Sequence, residues 1–159
     1  MIIDKNYKGI ERSENGDYVI HGDLISDENI EIKLDNRLVV KGEVESKKSI
    51  ICDSTLISDK SIIAGWGIIA GECIIAGCGI KARWGIEAGC GIRAGRGIEA
   101  GWGIIAGWGI EAGEDIEAGY RLFAGVSVYH DSGNCIKTIK CKKLLSGTIA
   151  YGELIEKEN

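Results

Sequence analysis

From Ile62 onward an aliphatic residue recurs every sixth position: Ile62, Ile68, Ile74, Ile80, Ile86, Ile92, Ile98, Ile104, Ile110, Ile116, Leu122 and Val128. Alanine follows two residues later each time, from Ala64 through Ala124, and glycine follows that alanine in every case but Arg83. The same phase extends backward through Leu56, Ile50, Val44, Leu38 and Ile32, with Leu34, Val40, Ser46, Cys52 and Ser58 in the partner slot. A period of six is a multiple of the two-residue strand repeat and not of the helical 3.6. It predicts short strands joined by corners. The aliphatic residue and its alanine point inward, and the residue between them, often charged as in Lys81, Glu87, Arg93, Glu99, Glu111 and Glu117, points outward. The glycines are expected to permit a sharp bend through unusual backbone angles. One strand and one corner, repeated, wind a solenoid.

The corner slot sets the number of strands per coil. It reads Trp66, Glu72, Cys78, Trp84, Cys90, Arg96, Trp102, Trp108, Glu114, Tyr120. Every third member gives Trp66, Trp84, Trp102 and Tyr120, all aromatic and 18 residues apart. In the outward slot, Lys81 precedes Glu99, and Arg93 precedes Glu111, by the same 18. The expected fold is therefore an all-β, single-domain triangular parallel β-solenoid with three hexapeptides per 18-residue coil. Residues 1–29 are expected to form a cap, 30–130 the solenoid of between five and six coils, and 131–159 a β-rich C-terminal cap. The charged tail from Glu153 to Asn159 would discourage end-to-end growth at an open strand edge.

Composition narrows the class. The 159-residue chain has 24 glycines and no proline, which excludes collagen and proline-rich linkers. No apolar run approaches the ~18 residues of a membrane span. The opening Met1-Ile2-Ile3-Asp4-Lys5 lacks the apolar stretch of a secretion signal, and six scattered cysteines fit free thiols, so a cytoplasmic location is expected. A net charge of −5 disfavours nucleic acid as a partner, Lys137, Lys140, Lys142 and Lys143 being the one basic cluster.

Two resemblances follow from these motifs. The I-x-A phrasing, with Val39-Val40-Lys41-Gly42-Glu43-Val44 before it, resembles bactofilins over residues 19–128. That likeness implies a polymer-forming cytoskeletal solenoid and a right-handed coil. Bactofilins lack near-perfect I-x-A-G hexads. Gly65-Trp66-Gly67-Ile68 and its copies, Tyr120-Arg121-Leu122-Phe123-Ala124-Gly125, and the block from Cys141 to Leu154 are similar to glycine-rich repeat proteins of phages and prophages of Gram-positive bacteria. This likeness covers residues 60–154 and implies a phage context, the host cytoplasm, and a small binding protein that blocks host defence. It carries over no catalytic residue.

The residues themselves offer little chemistry. A hexapeptide-repeat acyltransferase needs a histidine base beside a loop that leaves the coil. Only His21 and His130 exist, and no insertion interrupts positions 32 to 128. Cys78 and Cys90 fall in different columns, and Cys135, Cys141 and His130 are one short of a tetrahedral zinc set. No cofactor and no metal are expected. Trp66, Trp84, Trp102 and Tyr120, with Arg83 beside Trp84 and Trp108 in a neighbouring column, are the candidate binding residues. They point to self-association or a protein partner. The alternative is that the rings only pack on one another. A non-enzymatic binding protein is thus the leading expectation, a bactofilin-type filament the alternative, and an acyltransferase the last.

Overall fold

The computed structural model describes residues 1–125 and 138–157. Among them there is no helix, and hence none long and apolar enough to cross a membrane. The strands are β1 (Ile2–Ile3), β2 (Ile10–Arg12), β3 (Tyr18–Ile20), β4 (Leu24–Ser26), β5 (Ile30–Ile32), β6 (Leu38–Val40), β7 (Val44–Ser46), β8 (Ile50–Cys52), β9 (Leu56–Ser58), β10 (Ile62–Ala64) and β11 (Ile68–Ala70). They continue as β12 (Ile74–Ala76), β13 (Ile80–Ala82), β14 (Ile86–Ala88), β15 (Ile92–Ala94), β16 (Ile98–Ala100), β17 (Ile104–Ala106), β18 (Ile110–Ala112), β19 (Ile116–Ala124), β20 (Thr138–Cys141), β21 (Leu144–Tyr151) and β22 (Glu153–Glu156).

Successive strands lie on three faces of a parallel β-solenoid of about seven coils. Face I stacks β1, β5, β8, β11, β14, β17 and the end of β19; face II runs from β2 and β3 through β6, β9, β12, β15 and β18 to β20 and β22; face III stacks β4, β7, β10, β13, β16 and the start of β19. From β6 to β17 each residue pairs with the one 18 positions on, as Ile62 with Ile80 and Ala64 with Ala82. The nine-residue β19 passes straight through a corner and joins faces I and III into one sheet.

The interior is the predicted one. The first and third residues of nearly every three-residue strand are buried, and the inward isoleucines from Ile62 to Ile116 are at most 1% exposed. Each coil contributes three aliphatic side chains, and burying each stabilises by about 1.5–3 kcal/mol. In the upper coils Ser46 and Ser58 replace alanine, and their hydroxyls donate to the Glu28 and Gly42 carbonyls at 2.8 and 2.7 Å. No buried side-chain nitrogen or oxygen among the described residues lacks a partner.

Three expectations need correction. First, the six-residue phase does not run through Ile32 as a leading position. Ile30 leads β5, Ile32 is its inward partner, and Ile30 pairs with Ile50, 20 residues away. The corner from Lys33 to Arg37 is two residues longer than the rest, so counting back by sixes lands in the wrong slot. Leu34 fills this corner at 3% exposure, and the Tyr18 hydroxyl donates to Asp35 at 2.8 Å beneath it.

Second, there are more coils than five to six. Parallel pairing already begins at Ile2, which pairs with Glu31, continues at Tyr18 and Leu24, which pair with Leu38 and Val44, and resumes beyond β19 in β20, β21 and β22. Among the described residues only β2 runs antiparallel, against β3, and it covers the N-terminal edge of face II.

Third, the hexad glycines from Gly65 to Gly119 do not use the left-handed backbone region; among the described residues positive φ occurs only at Gly9, Gly16, Gly22, Gly125, Gly147 and Gly152. The cause is close approach. A Cβ built on Gly101 would lie 1.9 Å from the Arg83 carbonyl oxygen of the preceding coil, whereas one on Gly91 would meet nothing nearer than 3.5 Å. The glycine after alanine thus packs against the backbone of the preceding coil, and Arg83 is the one hexad residue that takes this slot with a side chain. The second glycine has ordinary contacts at Gly67, Gly79, Gly85 and Gly91, is tight at Gly103, where a Cβ would lie 2.8 Å from the Arg121 carbonyl oxygen, and is replaced by Cys73, Asp115 and Arg121 in its slot.

Candidate functional site

The corners are hydrogen-bonded as tightly as the strands. The Trp84 N–H donates to the Trp66 carbonyl at 2.9 Å, Trp102 to Trp84 at 2.8 Å and Tyr120 to Trp102 at 2.6 Å. This ladder fixes the corner residues in line, which sets successive side chains one above another. Trp66 and Trp84 have ring centroids 6.2 Å apart at 16°, and Trp84 and Trp102 lie 5.7 Å apart at 10°. The Arg121 guanidinium sits 5.1 Å from the Tyr120 ring centroid. The three indole rings pack on each other, and they and Tyr120 still face solvent: Trp66, Trp84, Trp102 and Tyr120 are 53%, 56%, 67% and 65% exposed. Stacking and exposure coexist because the ring faces point along the solenoid while their edges project outward.

Arg83 is exposed beside Trp84. Trp108 does not join the ridge. It lies at the opposite border of face I, half-buried, in the column of Glu72 and Cys90. There Glu72 accepts a hydrogen bond from the Thr55 hydroxyl at 2.8 Å.

The larger part of the apolar surface escaped the sequence reading. The ridge forms the border between faces III and I. The outward residues of face I, in register from coil to coil, are Ile2, Glu31, Ile51, Ile69, Glu87, Ile105, Phe123 and Tyr151. Ile51, Ile69 and Ile105 are more than a third exposed. Among the described residues, eight of the thirteen exposed large apolar side chains thus belong to face I or its ridge even before Tyr151 is counted. The signal was available. Pooling all outward slots hides it behind charged residues, whereas reading them every 18 residues isolates this apolar column.

The other two faces are charged in their lower halves. Face III carries Lys81 paired with Glu99 at 2.7 Å; face II carries Arg93 paired with Glu111 at 3.1 Å. These are the two complementary pairs expected one coil apart. Open grooves of about 350 and 370 Å³ lie over them, lined respectively by Lys81, Glu99 and Leu145 and by Arg93, Glu111 and Lys140. Lys81 and Glu99, and Arg93 and Glu111, are engaged with one another and do not converge on a bound position.

The chemical candidates stay dispersed. His21 is exposed and faces Glu11 at 3.3 Å. Val128, His130, Cys135 and Lys137 lie outside the described residues, while Lys142 and Lys143 are exposed at the corner after β20. Burial pushes the Cys52 and Cys141 thiols up, and burial followed by the neighbouring Cys73 does the same to Cys90. A thiol held protonated in this way is a poor nucleophile. Among the described residues no three metal-ligating side chains come together. No family model, curated protein or solved structure matches the chain.

Proposed function

We propose that this protein is a non-enzymatic interaction protein that binds through face I and its aromatic ridge. The observation that carries the reading is the gathering of exposed apolar side chains onto one of three faces. With aromatic side chains at roughly 150–250 Å² each and isoleucines at somewhat less, the exposed fractions amount to about 700 Å². That exceeds the roughly 300–600 Å² of the largest patch on an ordinary monomer and approaches the ~800 Å² one partner gives a standard interface. The rigid corner ladder supports the same reading, since rings already held in place lose little freedom on binding.

End-to-end filament growth is the weaker reading. It needs free parallel edges on all three faces, and antiparallel β2 covers one of them. A phage context would supply a host defence protein as a further partner, acting on this face or another.

Hydroxyl-radical footprinting tests the proposal in producing cells and in dilute purified protein. Trp66, Trp84, Trp102 and Ile69 are expected to be protected in cells, while Lys81 and Arg93 on the other faces react equally in both. Equal reactivity of the ridge in both samples overturns it.

A further inference from the structure

We infer that the occupant of face I is a second copy of this chain, docked antiparallel about a two-fold axis that passes through Ile105. This rests on the reading of face I as the binding face. The argument turns on Glu87, the carboxylate set in the middle of the apolar column between Ile69 and Ile105. It is exposed and belongs to none of the ion pairs among the described residues. Covering it with an apolar surface would strand a charge, so the occupant must bring a cation to that point.

Symmetry then selects the arrangement. Two copies side by side and parallel, related by an axis along the solenoid, set Glu87 against Glu87. An antiparallel pair centred on Glu87 does the same. Centred on Ile69, Glu87 meets the corner of Lys47 and Lys48, whose ammonium groups already hold Asp27 and Glu28. Centred on Ile105, Glu87 meets the coil of Phe123, whose corner carries Arg121. Arg121 is exposed, lies over the Tyr120 ring and has no carboxylate partner among the described residues. The two-fold makes this pair twice.

The same operation places Trp102 opposite Trp102, Trp84 opposite Tyr120, and Ile69 opposite Tyr151. An isologous contact must match a surface with its own inverse, and this register does so in both charge and apolarity. The overlap spans five coils, about 20–24 Å at roughly 4.8 Å per strand.

The test uses the full chain. Size exclusion with light scattering, at about 10 and about 100 µM to span micromolar affinity, is expected to give twice the 17.1 kDa chain mass. Glu87→Arg and Arg121→Glu each weaken the dimer about tenfold or more, because each sets like charges together at two symmetric places. Combining them restores it. Oxidation of Ile105→Cys gives a covalent dimer, while Ile69→Cys does so only when mixed with Tyr151→Cys; the unmutated chain controls for its own thiols.

A wild type that is monomeric at both concentrations overturns the inference and leaves face I to another protein. So does a folded double charge-swap that fails to recover the dimer. A dimer that survives Trp102→Asp with Ile105→Asp moves the contact off face I and overturns this inference, while protection of Trp66, Trp84 and Trp102 in cells decides the proposed function separately.

Discussion

At the residue scale the two glycines of each hexad have separate physical duties. Gly101 faces the backbone of the coil before it, which cannot yield as a flexible side chain would. Gly101→Ala is expected to destabilise by about 3 kcal/mol or more. Gly91→Ala, with ordinary contact distances and no positive φ, should fall within about 1 kcal/mol of wild type in either direction. Urea unfolding of the two variants side by side checks the contrast. Asp35 supplies a pH-dependent tie at the other end of the chain. Hydrogen bonds first from Lys5 and then from Tyr18 hold its carboxyl below the ordinary aspartate range. Its contribution is therefore complete above that range and is lost as pH falls through the depressed value of the folded state. Acid unfolding of Asp35→Asn should lack this component of the wild-type transition while matching wild type in shape at neutral pH.

At the element scale, three-residue strands are far too short to stand alone, and the corner ladder is what makes a stack of them rigid. The aromatic column is the corner's most visible product. Trp84 is the middle ring and stacks on both neighbours, whereas Trp66 stacks on one. With about 0.5–1.5 kcal/mol for each ring pair, Trp84→Ala should cost about 1–3 kcal/mol and Trp66→Ala about half as much. Thermal unfolding of the single variants reads this directly. Equal costs would mean that the rings are neighbours without interacting. The exposed Lys81–Glu99 and Arg93–Glu111 pairs, by comparison, add little, because water screens them.

At the scale of the whole molecule two periods coexist. The core repeats every six residues, so it cannot tell one hexad from the next. The surface repeats every 18, so it can. Removing residues 67–84 takes out one full coil and should leave a cooperative solenoid with its ridge in line. Removing residues 91–96 takes out one hexad. The inward isoleucines and alanines still stack, but every later strand moves round by one face and Trp102 leaves the corner of Trp84. Both deletions should keep β-sheet circular dichroism, and only the second should abolish self-association in light scattering. Loss of fold in the hexad deletion would show that the core does read hexad identity.

Much of this was legible in the sequence because parallel coils in register turn position into geometry. Ile62, Ile80 and Ile98 are equivalent in the chain and stack in space, so the inward faces, the number of strands per coil, the ring column and the Lys81–Glu99 and Arg93–Glu111 pairs all follow from counting. Counting fails where the increment changes. The long corner from Lys33 to Arg37 shifted Ile32 into the wrong slot, and nothing in the hexads announces β20 and β22, which pair at a 15-residue offset. The chain's own order thus determined what lies inside, since burial selects aliphatic residues at a fixed interval. The tertiary structure alone decided why glycine follows alanine, that stacked rings remain exposed, and that ridge and isoleucine column meet on one face. Those depend on distances between coils and on the angle between faces, which are properties of stacked backbones and not of any single hexad.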